Sequence, residues 1–454
     1  MAEAWHDMTA LELGEGIASG VIDPVALTNH FLERIAADDP DHLVYLRLTP
    51  ERARAEAEAA RARAKAGLRH GPLDGVPLSW KDLVDTAGVE TSGAARALQG
   101  RVPEHDATLL ARATRAGTIC LGKTNLTEFA FSGLGINTTH GTPPNAHDEN
   151  VARIPGGSSS GAAVSVARGL APAGIGSDTG GSVRIPASLN GVVGLKTTAG
   201  DLTLDGILPL SPSLDTIGPL TRDVADANAV WSVLSGRKAA DLTGVSLKGK
   251  RFLAPKNAMW AEVDPGIERA VRTGVEAMER AGATVAWEQV DEIDQAVQIM
   301  GKGGGVVTVE AYASWGDLVE DKPDLIYANM LPRFREGTKL AGFNLVRMQN
   351  ELEAVQDVMA RRLAGWDAMI APTVPISPPP IAGLIDDEAA YRKANRNTLR
   401  NTTPGNLLKL CALTLPCGRD DIGLPAGLMV MQRAHQEAAI LRLGKACETA
   451  LADG

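Results

Sequence analysis

Two short stretches of this chain could together carry out acyl transfer. GSDTGGSVRIP, residues 176–186, places Gly180 and Gly181 directly before Ser182. Glycines admit dihedrals that side chains forbid, so the N–H groups from Thr179 to Ser182 can converge into an anion-binding nest. Such a nest would stabilise an oxyanion, and Ser182 at its edge would be the attacking group. The plainer alternative is a turn serine with no chemical duty. PGGSSSG, residues 155–161, is the second stretch. A helical pattern and an apolar strand pattern separate the two, which argues against a flexible Gly/Ser linker. A helix over about 160–168 runs roughly 13 Å outward at 1.5 Å per residue. A turn at Gly169 and about six strand residues at roughly 3.3 Å each bring the chain back. The two clusters then lie side by side, one at a helix N-terminus and one at a strand's C-terminal end, where open α/β sheets bind ligands.

Two other chemistries compete for these residues. Neither cluster contains G-K-[ST], so a phosphate-binding loop is excluded. Gly157-Ser158-Ser159-Ser160-Gly161 does match the G-x-S-x-G elbow, with Ser159 as nucleophile. An elbow serine needs a histidine further along the chain. Only His435 qualifies, in the surface-like segment MQRAHQEA.

A lysine is the other source of a base. In LDGVPLSWKDLVDTAG, residues 73–88, Val76, Leu78 and Trp80 alternate and Lys81 ends the run. Charged lysines avoid the core, so one at the buried end of a strand is unusual. A surface lysine, or one paired with Asp82 or Asp85, is the alternative that spacing alone slightly favours. A lysine is a base only when neutral, and about one in 2,500 is neutral at pH 7. Burial and nearby positive helix N-termini would lower its pKa.

The elements that must position these groups read as α/β. The first seventy residues carry helix signals. Thr9 and Glu12 form a capping-box pattern, Asp23-Pro24 is a cap followed by a first-turn proline, and Leu27, Phe31, Leu32 and Ile35 share a face. Glu51 to Gly67 reads as a solvated surface helix ending at glycine. From residue 71 short apolar runs alternate with helices, which predicts a mixed or largely parallel sheet. Expected strands include KRFLAP, GWDAMIAPTVP and LPAGLMVMQ. Residues 308–365 read as mostly helical, and an amphipathic helix closes the chain near Leu451. No linker or repeat divides the chain, so the expectation is one unit over 1–454, with N-terminal helices (1–70), a core (71–226) and a remainder (227–454).

Bulk properties exclude several classes. The chain has 454 residues, net charge −10 and 4% aromatic residues. An acidic chain with few aromatics is a poor nucleic-acid binder. Four dispersed cysteines without C-x-x-C argue against a zinc site or a disulfide framework and fit a reducing cytoplasm. The N-terminus lacks a signal-peptide pattern, and no run of eighteen apolar residues predicts a membrane span.

Taken together, GVPLSWKD, GKTNLTEFA (122–130), PGGSSSG, GSDTGGSVRIPAS and GVVGLK (191–196) resemble the amidase signature family. The strong match covers roughly 70–226. The resemblance implies a single large α/β/α sandwich with a mixed sheet covered by helices. It also implies a Ser–cis-Ser–Lys triad: Ser182 as nucleophile, Ser158 as bridging serine after a cis peptide, and Lys81 as base. The oxyanion hole falls on the backbone of Thr179, Gly180, Gly181 and Ser182, with Asp178 and Arg184 supporting the loop. A surface ion pair is the plainer reading of those last two. Phe131, Ser132 and Gly133, in a loop that differs from the usual glycine-serine-rich version, would line the acyl pocket with residues from 308–365. Ser160 stands where the family usually has glycine, a position expected to open the helix. The implied function is hydrolysis of a C–N bond in a small-molecule amide, with esters, carbamates and aryl amides as related substrates. It implies no cofactor, an alkaline activity optimum set by Lys81 and, by analogy, a homodimer. The amidase subunit of a glutamine-dependent tRNA amidotransferase shares the signature and is the first alternative. A Ser159-elbow esterase and an inactive binding scaffold follow.

Overall fold

The alternation of apolar runs and helices becomes, among the described residues, one mixed sheet of eleven strands. The computed structural model describes residues 2–257, 259–301 and 305–452. In chain order the strands are β1 (Tyr45–Leu48), β2 (Pro77–Lys81), β3 (Ile119–Thr124), β4 (Ala173–Asp178), β5 (Val193–Lys196) and β6 (Thr216–Thr221). There follow β7 (Arg251–Pro255), β8 (Thr284–Glu288), β9 (Ala368–Pro372), β10 (Cys411–Arg419) and β11 (Pro425–Gln432). Across the sheet they run β1-β3-β2-β4-β6-β5-β10-β11-β9-β7-β8. β2 is parallel to β3 and β4, and β7 is parallel to β8 and β9. The other neighbours pair antiparallel. The expected α/β architecture with a mixed sheet is what the chain adopts.

β2 and β4 lie inside the sheet, and every residue of both is buried. Strands covered on both faces lose clean polar alternation, but the period of two still sorts their side chains. In β2, Leu78 and Trp80 face one way, Ser79 and Lys81 the other. Ser79 Oγ lies 3.0 Å from Ser165 Oγ in the helix Ser160–Ala167. That helix, SGAAVSVA, has mostly small side chains and presses closely on the sheet. A Cβ at Gly174 would come within 2.9 Å of the Ala162 carbonyl oxygen. The helix, the turn at Gly169 and β4 make the predicted outward-and-back path. The Ser159 N–H donates to the Ser182 carbonyl at 3.2 Å, so the two Gly/Ser clusters touch.

Some sequence expectations need correction. The first seventy residues are not all helical, because Tyr45–Leu48 pairs with β3. The Asp39 carboxylate accepts the N–H groups of Leu43, Val44 and Tyr45, which turns the chain from helix into strand. The helix Pro50–Ala66 is packed on one side, where Ala53, Ala57 and Ala60 are buried. The capping box at Thr9, the Asp23 cap and the buried face of Leu27, Phe31, Leu32 and Ile35 form as expected. The helical region comprises Gly305–Asp321, Leu331–Glu336 and Gly342–Leu363. Phe334 docks it edge-on against Phe129 and Phe131, at centroid distances of 5.4 and 5.0 Å. Among the described residues no helix is long and apolar enough to cross a membrane.

Candidate active site

Lys81 closes β2 with its side chain fully buried. Its Nζ lies 2.7 Å from Ser158 Oγ, 2.9 Å from Ser159 Oγ and 2.8 Å from Ser177 Oγ. No carboxylate pairs with it among the described residues, so the Asp82 and Asp85 alternatives fall. Asp82 is paired with Arg47 and Lys123, and Asp85 with Arg101. Burial pushes the Lys81 amine down to about 7, against a smaller upward pull from Asp178 and Asp215.

The three hydroxyls constrain the amine. An ammonium donates three hydrogen bonds, whereas a neutral amine donates two and accepts one. The Ser159 hydroxyl donates to the Ser177 carbonyl at 3.2 Å, so it can only accept from Lys81. Ser158, which the resemblance makes the bridging serine, follows a cis peptide from Gly157. Its carbonyl accepts N–H groups from Thr127 and Ser160, at 3.1 and 2.9 Å. That leaves its hydroxyl with Lys81 as sole partner among the described residues.

Ser182 follows directly on the glycine turn. Gly181 has φ +140°, and a Cβ there would overlap the Thr402 hydroxyl and lie 2.6 Å from Thr402 Cβ. Only glycine fits this close approach. The N–H groups of Gly180, Gly181 and Ser182 donate to no other described group, while Thr402 Oγ1 holds the Gly180 carbonyl at 2.7 Å. Thr179 Oγ1 donates to Asp215 at 2.5 Å, and Asp215 also accepts the Leu210 and Ser211 amides. The nest thus offers free donors on a loop anchored at both ends.

Asp178 and Arg184 are fully buried, so the surface ion-pair reading is excluded. Arg184 Nε and Nη2 each bond an Asp178 carboxylate oxygen at 3.0 Å. The same carboxylate accepts the Val183 amide at 3.2 Å and Asn406 Nδ2 at 2.8 Å. The Arg184 charge and the Asn406 hydrogen bond hold Asp178 well below the usual carboxylate range, despite its burial. This pair fastens both ends of the TGGS loop. Ser177, Asp215, Thr402 and Asn406 were not singled out from sequence, because their partners are remote in the chain.

Ser182 opens onto a cavity of about 200 Å³. Phe131, Ser132, Thr179, Gly180, Leu210, Leu214, Thr308, Arg333 and Leu399 are among its lining residues. Phe131 and Ser132 thus share a cavity with Ser182. Gly133 stands behind that wall: its N–H donates to Asn395 Oδ1 and its carbonyl accepts the Gly157 N–H, both at 2.8 Å. The elbow reading fails on geometry. Ser159 bonds no histidine among the described residues, and the His435 side chain is 65% exposed beside Asp201. Asp201, His435 and Glu437 are close enough to converge on an ion. However, Asp201 is paired with Arg237, Glu437 accepts from Thr198, and none of the three lines the Ser182 cavity.

Comparison with known proteins agrees with this geometry. The Amidase family model matches residues 26–441. The 2-amino-5-chloromuconic acid deaminase of Comamonas testosteroni is 35% identical over 95% of this chain and 93% of its own. The A-type subunit of the glutamyl-tRNA(Gln) amidotransferase of Chloroflexus aggregans is 33% identical over 97% of this chain and 96% of its own. A crystal structure of an amidase superposes with TM-score 0.87 at 32% identity, covering 97% of this chain and 99% of that one. Match length, shared fold and the Ser–cis-Ser–Lys arrangement converge: the chain belongs to the amidase signature family, hydrolases of amide C–N bonds.

Proposed function

We propose that the protein cleaves small amides through an acyl-enzyme on Ser182, with Lys81 as base and Ser158 as relay. Ser182 Oγ attacks the carbonyl carbon and its proton passes to Ser158, whose own proton passes to the Lys81 lone pair. Ser159 and Ser177 take the two N–H bonds of the neutral amine and so aim that lone pair at Ser158. The carbonyl oxygen becomes an oxyanion held by the Thr179–Ser182 amides. The relay then runs backward, protonates the leaving nitrogen and breaks the C–N bond. Water repeats the sequence to release the acid and restore Ser182. What carries this reading is Lys81, a fully buried amine held near pKa 7 with no acid partner among the described residues and a 2.7 Å bond to Ser158. The same machinery acts on esters, carbamates and aryl amides. The chain works as one unit in the cytoplasm, as a homodimer.

A fluorophosphonate followed by peptide mapping tests the assignment. Label on Ser182 that disappears in Lys81→Ala and persists in His435→Ala supports it; label on Ser159 sinks it. A panel of aliphatic amides, anilides, carbamates, esters and 2-aminomuconate-type acids then ranks the substrates. A second reading, the amidase component of a tRNA amidotransferase, is favoured by the relative from Chloroflexus aggregans. It requires glutaminase activity that appears only with a partner protein.

A further inference from the structure

We propose that the Ser182 cavity selects amides whose acyl chain ends in a carboxylate, and that Arg333 holds that carboxylate. This rests on the assignment of Ser182 as nucleophile above. Arg333 belongs to the helix Leu331–Glu336 and lines the Ser182 cavity. Its guanidinium lies 4.1 Å from the Phe131 ring centroid, and Nη1 donates to the Phe131 carbonyl. Those two contacts orient the group without neutralising it. The acids that could do so are engaged elsewhere. Glu336, three residues on, pairs with Arg392 at 2.9 Å, and Glu320 pairs with Arg335 at 2.7 Å. Among the described residues no carboxylate lies within ion-pair distance of Arg333. Burial works against its charge and lowers its pKa. The Tyr391 hydroxyl, fully buried, is close enough to feel both Arg333 and Ser132, two residues of the cavity lining.

A guanidinium left unpaired at a binding cavity is matched by a planar anion, which its fork of N–H groups binds bidentately. The cavity is small, about 200 Å³, below the roughly 300–1,000 Å³ of drug-sized sites. That suits a short acyl chain with its carbonyl at Ser182 and its far end at Arg333. None of the described lining residues is acidic, so an ammonium on the same chain would find no partner. The site therefore fits the monoamide of a dicarboxylic acid better than glutamine. A wider cleft of about 610 Å³ shares Arg333 and Leu399 with this cavity. It adds Arg396 and Arg400 against one acid, Asp294. In a chain of net charge −10 that is a local excess of positive charge, suited to drawing in anions.

The test compares kcat/KM for ammonia release from glutaramic acid, pentanamide and L-glutamine. Wild type is expected to prefer glutaramic acid over pentanamide by about 100-fold, as a charged hydrogen-bonded pair implies. Glutamine should fall at least about tenfold below glutaramic acid, having an ammonium with no counter-charge. The acid-to-neutral ratio should collapse to about 5 or less in Arg333→Met and recover in part in Arg333→Lys. A ratio near one in wild type, or a high ratio that survives in Arg333→Met, overturns the proposal. If Arg333→Met does not fold, salt decides on wild type. Raising it from about 20 to about 300 mM should weaken glutaramic acid turnover and not pentanamide turnover, and equal responses overturn the proposal. If none of the three is hydrolysed while Ser182 still takes the fluorophosphonate, glutarate should protect Ser182 at lower concentration than pentanamide; equal protection overturns it. Hydrolysis through Ser182 without carboxylate preference defeats this inference alone. No label on Ser182 defeats the reading beneath it.

Discussion

Replacing Lys81 by methionine should make the protein more stable near pH 7 and less stable near pH 9. Unfolded lysine titrates near 10.4, whereas the buried amine sits at about 7. The folded pKa is depressed, so between these values the unfolded chain binds more protons and stability rises with pH. The slope approaches about 1.4 kcal/mol per unit between pH 8 and 10 and vanishes below 7. At pH 7 the lysine therefore costs the fold about 4 kcal/mol, and at pH 9 about 2 kcal/mol. Methionine abolishes that cost but removes the three hydrogen bonds that the amine makes with Ser158, Ser159 and Ser177. At about 1 kcal/mol per hydrogen bond this removes about 3 kcal/mol at every pH. The variant should lead by about 1 kcal/mol at pH 7 and trail by about 1 kcal/mol at pH 9. Melting both proteins at pH 7, 8 and 9 reads this out. For a chain of this size about 1.4 kcal/mol corresponds to roughly 1.5 °C. Parallel curves across that range would mean that Lys81 is charged in the fold, and its role as a base would be refuted.

Further outcomes follow from the same geometry. Wild-type kcat/KM should rise about tenfold per unit up to pH 7 and then level off, which a pH–rate profile with a slow anilide checks. Ser177→Ala removes an acceptor that favours the ammonium, so that limb should move to lower pH and kcat should fall; an unmoved limb counts against the aimed lone pair. Gly181→Ala should cost about 10²–10³ in kcat, the worth of an oxyanion-hole donor, because its Cβ would force the loop off Thr402. Arg184→Met strands the buried Asp178 charge and should destabilise the protein by about 3–5 kcal/mol, measured by urea unfolding at neutral pH. Because Asp178 is depressed in the wild type, that difference should shrink as pH falls into the acid range.

Much of the site was legible in the chain because it is built by short-range geometry. The helix Ser160–Ala167, the turn at Gly169 and β4 are contiguous, so residue rise alone brings Ser159 to Ser182. The caps at Thr9 and Asp23 are local for the same reason. β10 was not legible: Pro416 and Gly418 interrupt its pattern, and a bulge between them lets the pairing with β11 continue. Lys81 was legible as an oddity, but whether it was buried or paired depended on β3 and β4 closing around β2. Asn406 on Asp178, Asp215 on Thr179 and Arg333 over Phe131 join residues remote in the chain. Sequence by itself determined the reactive groups and the local path that presents two of them. Tertiary structure decided which charges lose water and which acids are already taken, because desolvation and pairing depend on every neighbour in space.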